Sequence, residues 1–205
     1  MEKINNWDEI EAKGMDDFKS LEAGAYKCKI MKAEEYTNTQ TGNKSLKVMV
    51  DIVDGKFKDY FTERYKNDTR EDKKWDNNAC KYLGLADTGL PFLKGFITCV
   101  ENSNNGYKWD WDETKLKGKA IGCVFRYEEY EKQDGTKGIK TKLAQFRSVD
   151  KLSEVDQEKL YSVKLLNGKY MSIDDYYENK DDGTTPGDPF NELGDVVEIT
   201  NDILD

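Results

Sequence analysis

Histidine is absent from this chain of 205 residues, and with it go Ser-His-Asp triads, Cys-His nucleophile pairs, His-ligated zinc and imidazole general bases. Enzymes built on those groups are excluded. The four cysteines, Cys28, Cys80, Cys99 and Cys123, show no C-x-x-C pair or knuckle spacing. Three of them stand in apolar runs, where a reduced thiol behaves as a small hydrophobe. No metal or cofactor is expected. Nowhere do eighteen apolar residues run together, and the opening 1–10 has neither the basic nor the apolar segment of a secretory leader. The expectation is a soluble, cytoplasmic protein in a reducing compartment.

Charge is plentiful but unevenly placed. The formal net charge is -9, yet residues 174–205 hold eleven Asp and Glu against one lysine, Lys180, a balance of -10. The acidic N-terminal stretch 1–22 has seven acidic and three basic residues. What remains, 23–173, is a body of about +5 by the same count. A near-neutral to basic body followed by an acidic tail containing Gly and Pro is a layout used by proteins that bind nucleic acid and recruit others through the tail. The tail is expected to be disordered. Twelve tyrosines and four tryptophans suit surfaces that are half apolar and half wet, base-stacking platforms among them.

The periodicity predicts a polar helix over 6–20 and then a strand in which Tyr26, Cys28 and Ile30 alternate with Lys27, Lys29 and Met31. A polar connection over 37–43 leads to a second strand, with Leu46, Val48, Val50 and Ile52 on its buried face. Asp54-Gly55 is a strong hairpin signal and predicts a third strand over 57–65, with Phe57, Phe61 and Tyr65 on one face. A helix is predicted from Trp75, Ala79, Tyr82 and Leu83, stopped by Gly84. Asp87-Thr88 as candidate caps, Pro91, and Leu93, Phe96, Ile97 and Val100 predict a second helix, ended by turn formers at 102–106. Strands follow over 119–130 and 138–148, joined through Asp134-Gly135, and a modest helix over 150–165.

Strand, strand, strand, helix, strand, strand is the order of an OB fold. The expected fold is therefore mainly β with helices, an α+β OB-like five-stranded barrel with a helical insert between strands three and four. The corresponding divisions are an N-terminal helical segment 1–22, the barrel 23–150, a helical segment or linker 151–173, and the tail 174–205. Such barrels bind oligonucleotides on the face of strands two and three, between the loops that are here 37–43 and 131–137. Lys47, Lys58, Tyr60 and Arg64 are expected outward on those strands, and Lys27, Lys29, Arg126, Tyr130, Lys140 and Lys142 on their neighbours. Cations for phosphates with tyrosine rings among them are what sequence-tolerant single-strand binding requires.

The stretch Pro91-Phe92-Leu93-Lys94-Gly95-Phe96-Ile97-Thr98, with Glu101, Ser103 and Gly106-Tyr107-Lys108-Trp109-Asp110-Trp111, resembles a family of bacteriophage proteins from early replication and recombination modules. Leu116-Lys117-Gly118-Lys119, Glu128-Glu129-Tyr130, Arg147-Ser148-Val149, Trp7-Asp8 and Ala23-Gly24-Ala25-Tyr26 extend the resemblance over 7–151. Long catalogued as of unknown function, that family is commonly assigned as single-stranded DNA-binding protein, so the resemblance implies a binding protein of the host bacterial cytoplasm and no enzyme. It names no base-contacting residue. Gly106-Tyr107-Lys108-Trp109 reads as a turn with aromatic anchors closing the barrel. The tail is similar to the acidic tails of bacterial single-stranded DNA-binding proteins, which end in Pro-Phe and dock replication partners. Here Asp188, Pro189 and Phe190 have that chemistry fifteen residues before the end, and Ile203 and Leu204 are the apolar residues at the terminus itself. Either segment is a candidate for docking phage or host replication and recombination proteins.

The leading expectation is thus a phage single-stranded DNA-binding protein in replication and recombination, with homo-oligomerisation open. The alternative is an acidic interaction protein or DNA mimic without DNA binding of its own. Clustering of the acid in one tail disfavours the alternative, because a mimic displays carboxylates on a rigid surface. Asp110, Asp112 and Glu113 are the nearest approach to a two-carboxylate metal site, and they read better as an acid-rich helix start.

Overall fold

The computed structural model describes residues 20–179. The expected helix over 6–20 lies outside them except for Ser20, as do Asp188, Pro189, Phe190, Ile203 and Leu204. Leu21–Ile173 form one compact unit. Its spine is the fourteen-residue strand β1 (Gly24–Thr37), whose first half pairs antiparallel with β4 (Ala120–Glu131) and whose second half pairs with β2 (Lys44–Ile52). The change of partner coincides with a bulge between Ile30 and Lys32. A bulge adds twist and bends the strand, so one strand serves two differently directed parts of the sheet. The buried positions register it: Cys28 and Ile30 alternate, and the next buried residue is Ala33.

β2 pairs with β3 (Cys80–Gly84), and β4 pairs with β5 (Lys137–Arg147). Beyond its pairing with β1, β4 takes a short parallel strand, β6 (Ser162–Lys164), which turns back into β7 (Tyr170–Ser172). The order is β3-β2-β1-β4-β6-β7, with β5 on β4. The result is an open, mixed α/β arrangement of seven strands with few helices, where a closed barrel of five is expected from the sequence.

Four corrections concern local structure. Residues 57–65 are no strand, since a turn leads into α1 (Tyr60–Asn67). Phe57, Phe61 and Tyr65 are four residues apart, which is helical spacing as much as same-face strand spacing, and Phe61 is the one that is fully buried. The third strand comes instead from Cys80–Gly84, where a helix is expected: a 3₁₀ turn, Asn77–Ala79, delivers the chain to the free edge of β2. The helix expected over 150–165 is broken into a 3₁₀ segment Val149–Glu154, a single turn α3 (Gln157–Leu160) and β6. What reads as linker at 167–173 contains β7 and the start of α4 (Ile173–Glu178).

Other expectations hold. Leu93, Phe96, Ile97 and Val100 are the buried face of α2 (Leu90–Ser103), with Pro91 in its first turn. Its N-cap is Gly89, with no side-chain cap, so Asp87 and Thr88 do not serve there. Helix α2, α1 and the inward residues of β1, β2, β4 and β5 enclose the core. Phe61 of α1 stacks on Phe125 of β4 with ring centroids 5.6 Å apart. A second bulge, at Val124/Phe125 opposite Gln145/Leu143, puts Leu143 and Phe146 both inward and explains why neither alternating face of β5 is purely apolar. Cys28, Cys80 and Cys123 are buried free thiols and Cys99 is half-buried. Burial pushes the Cys80 thiol up to about 11 and Cys123 well above its ordinary value. Among the described residues no helix is long and apolar enough to cross a membrane.

Candidate nucleic-acid interface

β3 and β5 face each other across the opening of the sheet without forming a ladder. One side chain spans the gap. Lys81, opposite Val48 in the register of β3 with β2, sends its ammonium to the carbonyl of Ala144 on β5, a 2.5 Å hydrogen bond. Burial holds the lysine below its ordinary pKa; Glu128 opposes that shift, and Lys142 and Lys164 add to it.

Outside the seam is a cleft of about 710 Å³. Its floor comes from β3, β4 and β5, and its walls from Pro91, Phe92, Gly95, Phe96 and Cys99 of α2 and from Lys164 and Tyr170 of the β6–β7 arm. Four cations, Lys81, Arg126, Arg147 and Lys164, line it against one carboxylate, Glu128. Lys142, directly opposite Arg126 in the β4–β5 register, is 3.4 Å from Glu128. Aromatic rims complete the site: Phe92 is 71% exposed, Tyr170 55% and Tyr82 41%. Gly95, on the α2 wall, has nothing within 4 Å of the place a Cβ would occupy, which leaves that wall open.

Tyr82 belongs to the cleft and also to the outer face of β1–β3. There its ring meets that of Tyr36 at 5.2 Å between centroids. Lys47, its cross-strand partner, lies 5.7 Å from the Tyr82 centroid. Aromatic and cationic groups are therefore continuous from Tyr36 and Lys47 through Tyr82 into the cleft.

The predicted residues divide accordingly. Arg126 lines the cleft, Lys142 borders it and Lys47 adjoins it. Lys140 and Tyr130 sit further along the same hairpin, the ammonium 5.3 Å from the ring centroid. Lys27 and Lys29 are exposed on β1 and do not line the cleft. Lys58, Tyr60 and Arg64 are not on an outward strand face, because their segment is a turn and helix, and they do not line the cleft. Tyr60 packs edge-on against Phe57 and Phe61, and its hydroxyl accepts the Leu21 amide hydrogen at 3.3 Å. Arg64 pairs with Asp76 at 3.3 Å. Sequence periodicity does not single out as site residues Lys81, Tyr82, Phe92, Arg147, Lys164 and Tyr170, which also line the cleft. Phe92 and Arg147 do fall in stretches that carry the family resemblance, a signal with no mechanism attached until the fold is known.

The acidic run at 110–113 is spent locally. Asp112 caps the 3₁₀ turn Glu113–Leu116, accepting from the Thr114 amide at 3.1 Å and its hydroxyl at 2.5 Å, and Lys115 pairs with Asp110. The Thr114 hydrogen bonds and the Lys115 ammonium hold the two carboxyls below their ordinary values. Tyr107 and Trp109 pack against the core after the Gly106 turn, as anchors should, whereas Trp111 is 79% exposed.

The fold and this site define a mixed α/β protein with an open sheet and a cation-rich cleft at its seam. Residues 6–88 match the family described as "Protein of unknown function (DUF669)". The match includes β1, β2, α1 and β3 and stops short of 91–111, where the phage resemblance is densest. A comparison with curated proteins gave no match.

Proposed function

We propose that this is a phage single-stranded DNA-binding protein acting in replication or recombination, and that the strand lies along Lys47 and Tyr82 into the seam cleft. The observation that carries this reading is the cleft itself, with four cations against one carboxylate and exposed aromatic rims at its edge. Cations neutralise the backbone without reading sequence, and rings stack on any base. Strand order supports it too. β3-β2-β1-β4-β5, with α2 between β3 and β4, is the order of an OB barrel, and we read the sheet as such a barrel left open between β3 and β5. The body's surplus of positive charge favours this reading over an acidic mimic.

The test is a salt titration of the full chain with a labelled single strand and with the matching duplex. Single-strand binding should be the tighter, and neutralising about four phosphates should make log K fall with log salt at a slope of about -3. Equal or stronger duplex binding, or an affinity indifferent to salt, would overturn the proposal.

A further inference from the structure

Arg126 and Arg147 are anomalous within the cleft. The Nε–H of each is buried and has no hydrogen-bond acceptor among the described residues. Leaving a buried donor unsatisfied is costly, and more so when the group is charged. Both residues are half-buried, and a guanidinium N–H that is shut off from solvent is ordinarily paired with an acceptor, a carboxylate above all. Among the described residues Glu128 is the only carboxylate lining this cleft, and it has Lys142 beside it, while Lys81 is committed to Ala144. Two such donors in one cleft imply acceptors supplied from outside.

Their spacing says how many. Arg147 is opposite Gly122 in the β4–β5 register, so the backbone positions of the two arginines are separated along the strand direction by the distance from residue 122 to residue 126. Four strand rises are about 13 Å. That exceeds one phosphate and suits two phosphates of one extended backbone. Phe92, Tyr82 and Tyr170 stand at the rim, where the bases between those phosphates would stack.

Resting on the single-strand reading above, we propose that Arg126 and Arg147 each hold a separate phosphate of one strand, so that the cleft recognises an oligonucleotide of at least two phosphates and rejects a mononucleotide. Guanidinium suits this better than ammonium because its planar fork gives a phosphate two parallel donors.

The experiment uses the full chain, a labelled oligo-dT and four unlabelled competitors: thymidine monophosphate, dT3 with a 5′-phosphate, dT8 and rU8. Beside the wild type stand Arg126→Lys, Arg147→Lys and, as a control outside the cleft, Lys27→Gln. Each arginine variant should lose about tenfold in affinity although its charge is kept, and Lys27→Gln should stay within about twofold. The phosphorylated trinucleotide, whose outer phosphates are two backbone repeats apart, should compete well below the concentration at which the monophosphate does. A preference for rU8 over dT8 would name RNA as the source of the same phosphate pair.

The arginine Nε–H resonances provide a second measurement, independent of how the variants fold. Both should shift when dT8 is added. Wild-type affinity in both lysine variants with unmoved Nε–H signals would overturn the inference while leaving strand binding standing. A wild-type chain that binds no single strand would remove both.

Discussion

Asp51 illustrates how much one side chain can do against its apparent place. On the outward-facing side of β2, opposite Lys29, it is only 1% exposed. Its carboxylate accepts the amide hydrogens of Ile52 at 2.9 Å and of Phe61 and Thr62 at 3.0 Å each, together with the Thr62 hydroxyl. Helix α1 begins after Asp59, which is in the left-handed region at φ 57 and gives no side-chain cap. Asp51 thus supplies, from a neighbouring strand, the acceptors that the first helical amides lack. Asp51→Ala should cost about 3 kcal/mol, the sum of a lost cap and stranded buried donors. Urea denaturation would measure it, and Asp51→Asn, which retains one oxygen acceptor, should lose clearly less.

At the scale of elements, the C-terminal end of α2 is tied to the loop that follows and to β4. Glu101 accepts the Trp109 amide hydrogen at 2.9 Å and pairs with Lys108 at 3.2 Å. Asn104 donates to the Val100 and Ala120 carbonyls and accepts from the Ala120 amide. The Trp109 hydrogen bond, with Lys108 after it, holds the Glu101 carboxyl below its ordinary value of 4.5. Its folded pKa is depressed, so its contribution is complete above about 4.5 and disappears as pH falls through the lower folded value. Tryptophan emission followed from pH 6 to pH 3 should report the loop loosening around Trp109 below about pH 4.5, and Glu101→Gln should remove that acid-dependent component. A titration unchanged by the substitution would refute this role.

How legible the elements were depended on whether a period had one meaning. Leu93, Phe96, Ile97 and Val100 fit a helix and nothing else, and β1, β2 and β4 alternate cleanly. Phe57, Phe61 and Tyr65 satisfy both periods, and the Asp54-Gly55 hairpin signal tipped them the wrong way. Asp51, ten residues before Phe61, settles the matter by capping a helix there. Conversely, Trp75, Ala79, Tyr82 and Leu83 have helical spacing, but the open edge of β2 offers Cys80–Gly84 backbone partners that outweigh a weak local preference. The candidate site moved with them. Tyr82 came into it, while Lys58, Tyr60 and Arg64 dropped out.

On the scale of the whole chain, charge is the dominant asymmetry. Residues 180–205, outside the described part, carry eight acidic residues against one lysine, so that removing them changes the net charge from -9 to -2. A net negative charge on the chain opposes association with a polyanion, and salt screens that opposition. Deleting 180–205 should therefore leave single-strand binding intact and tighten it several-fold at low salt, with the gain fading towards 0.3 M. Anisotropy titrations on both chains at three salt concentrations would check this, and loss of binding on deletion would contradict it.

From the sequence alone came the properties that depend on local order: the absence of imidazole chemistry, the segregation of charge, the unambiguous strands and α2, and the cationic character of the β4–β5 hairpin. Those follow from residue identity and spacing, which act over a few positions. Tertiary structure alone decided that the third strand is Cys80–Gly84, that the sheet stays open between β3 and β5, and that Lys81, Arg126, Arg147 and Lys164 line one cleft. These four residues span 84 positions of chain (81 to 164), and only strand register and the bulges that bend the sheet bring them together, because like charges are gathered by the backbone that carries them and not by any attraction among themselves.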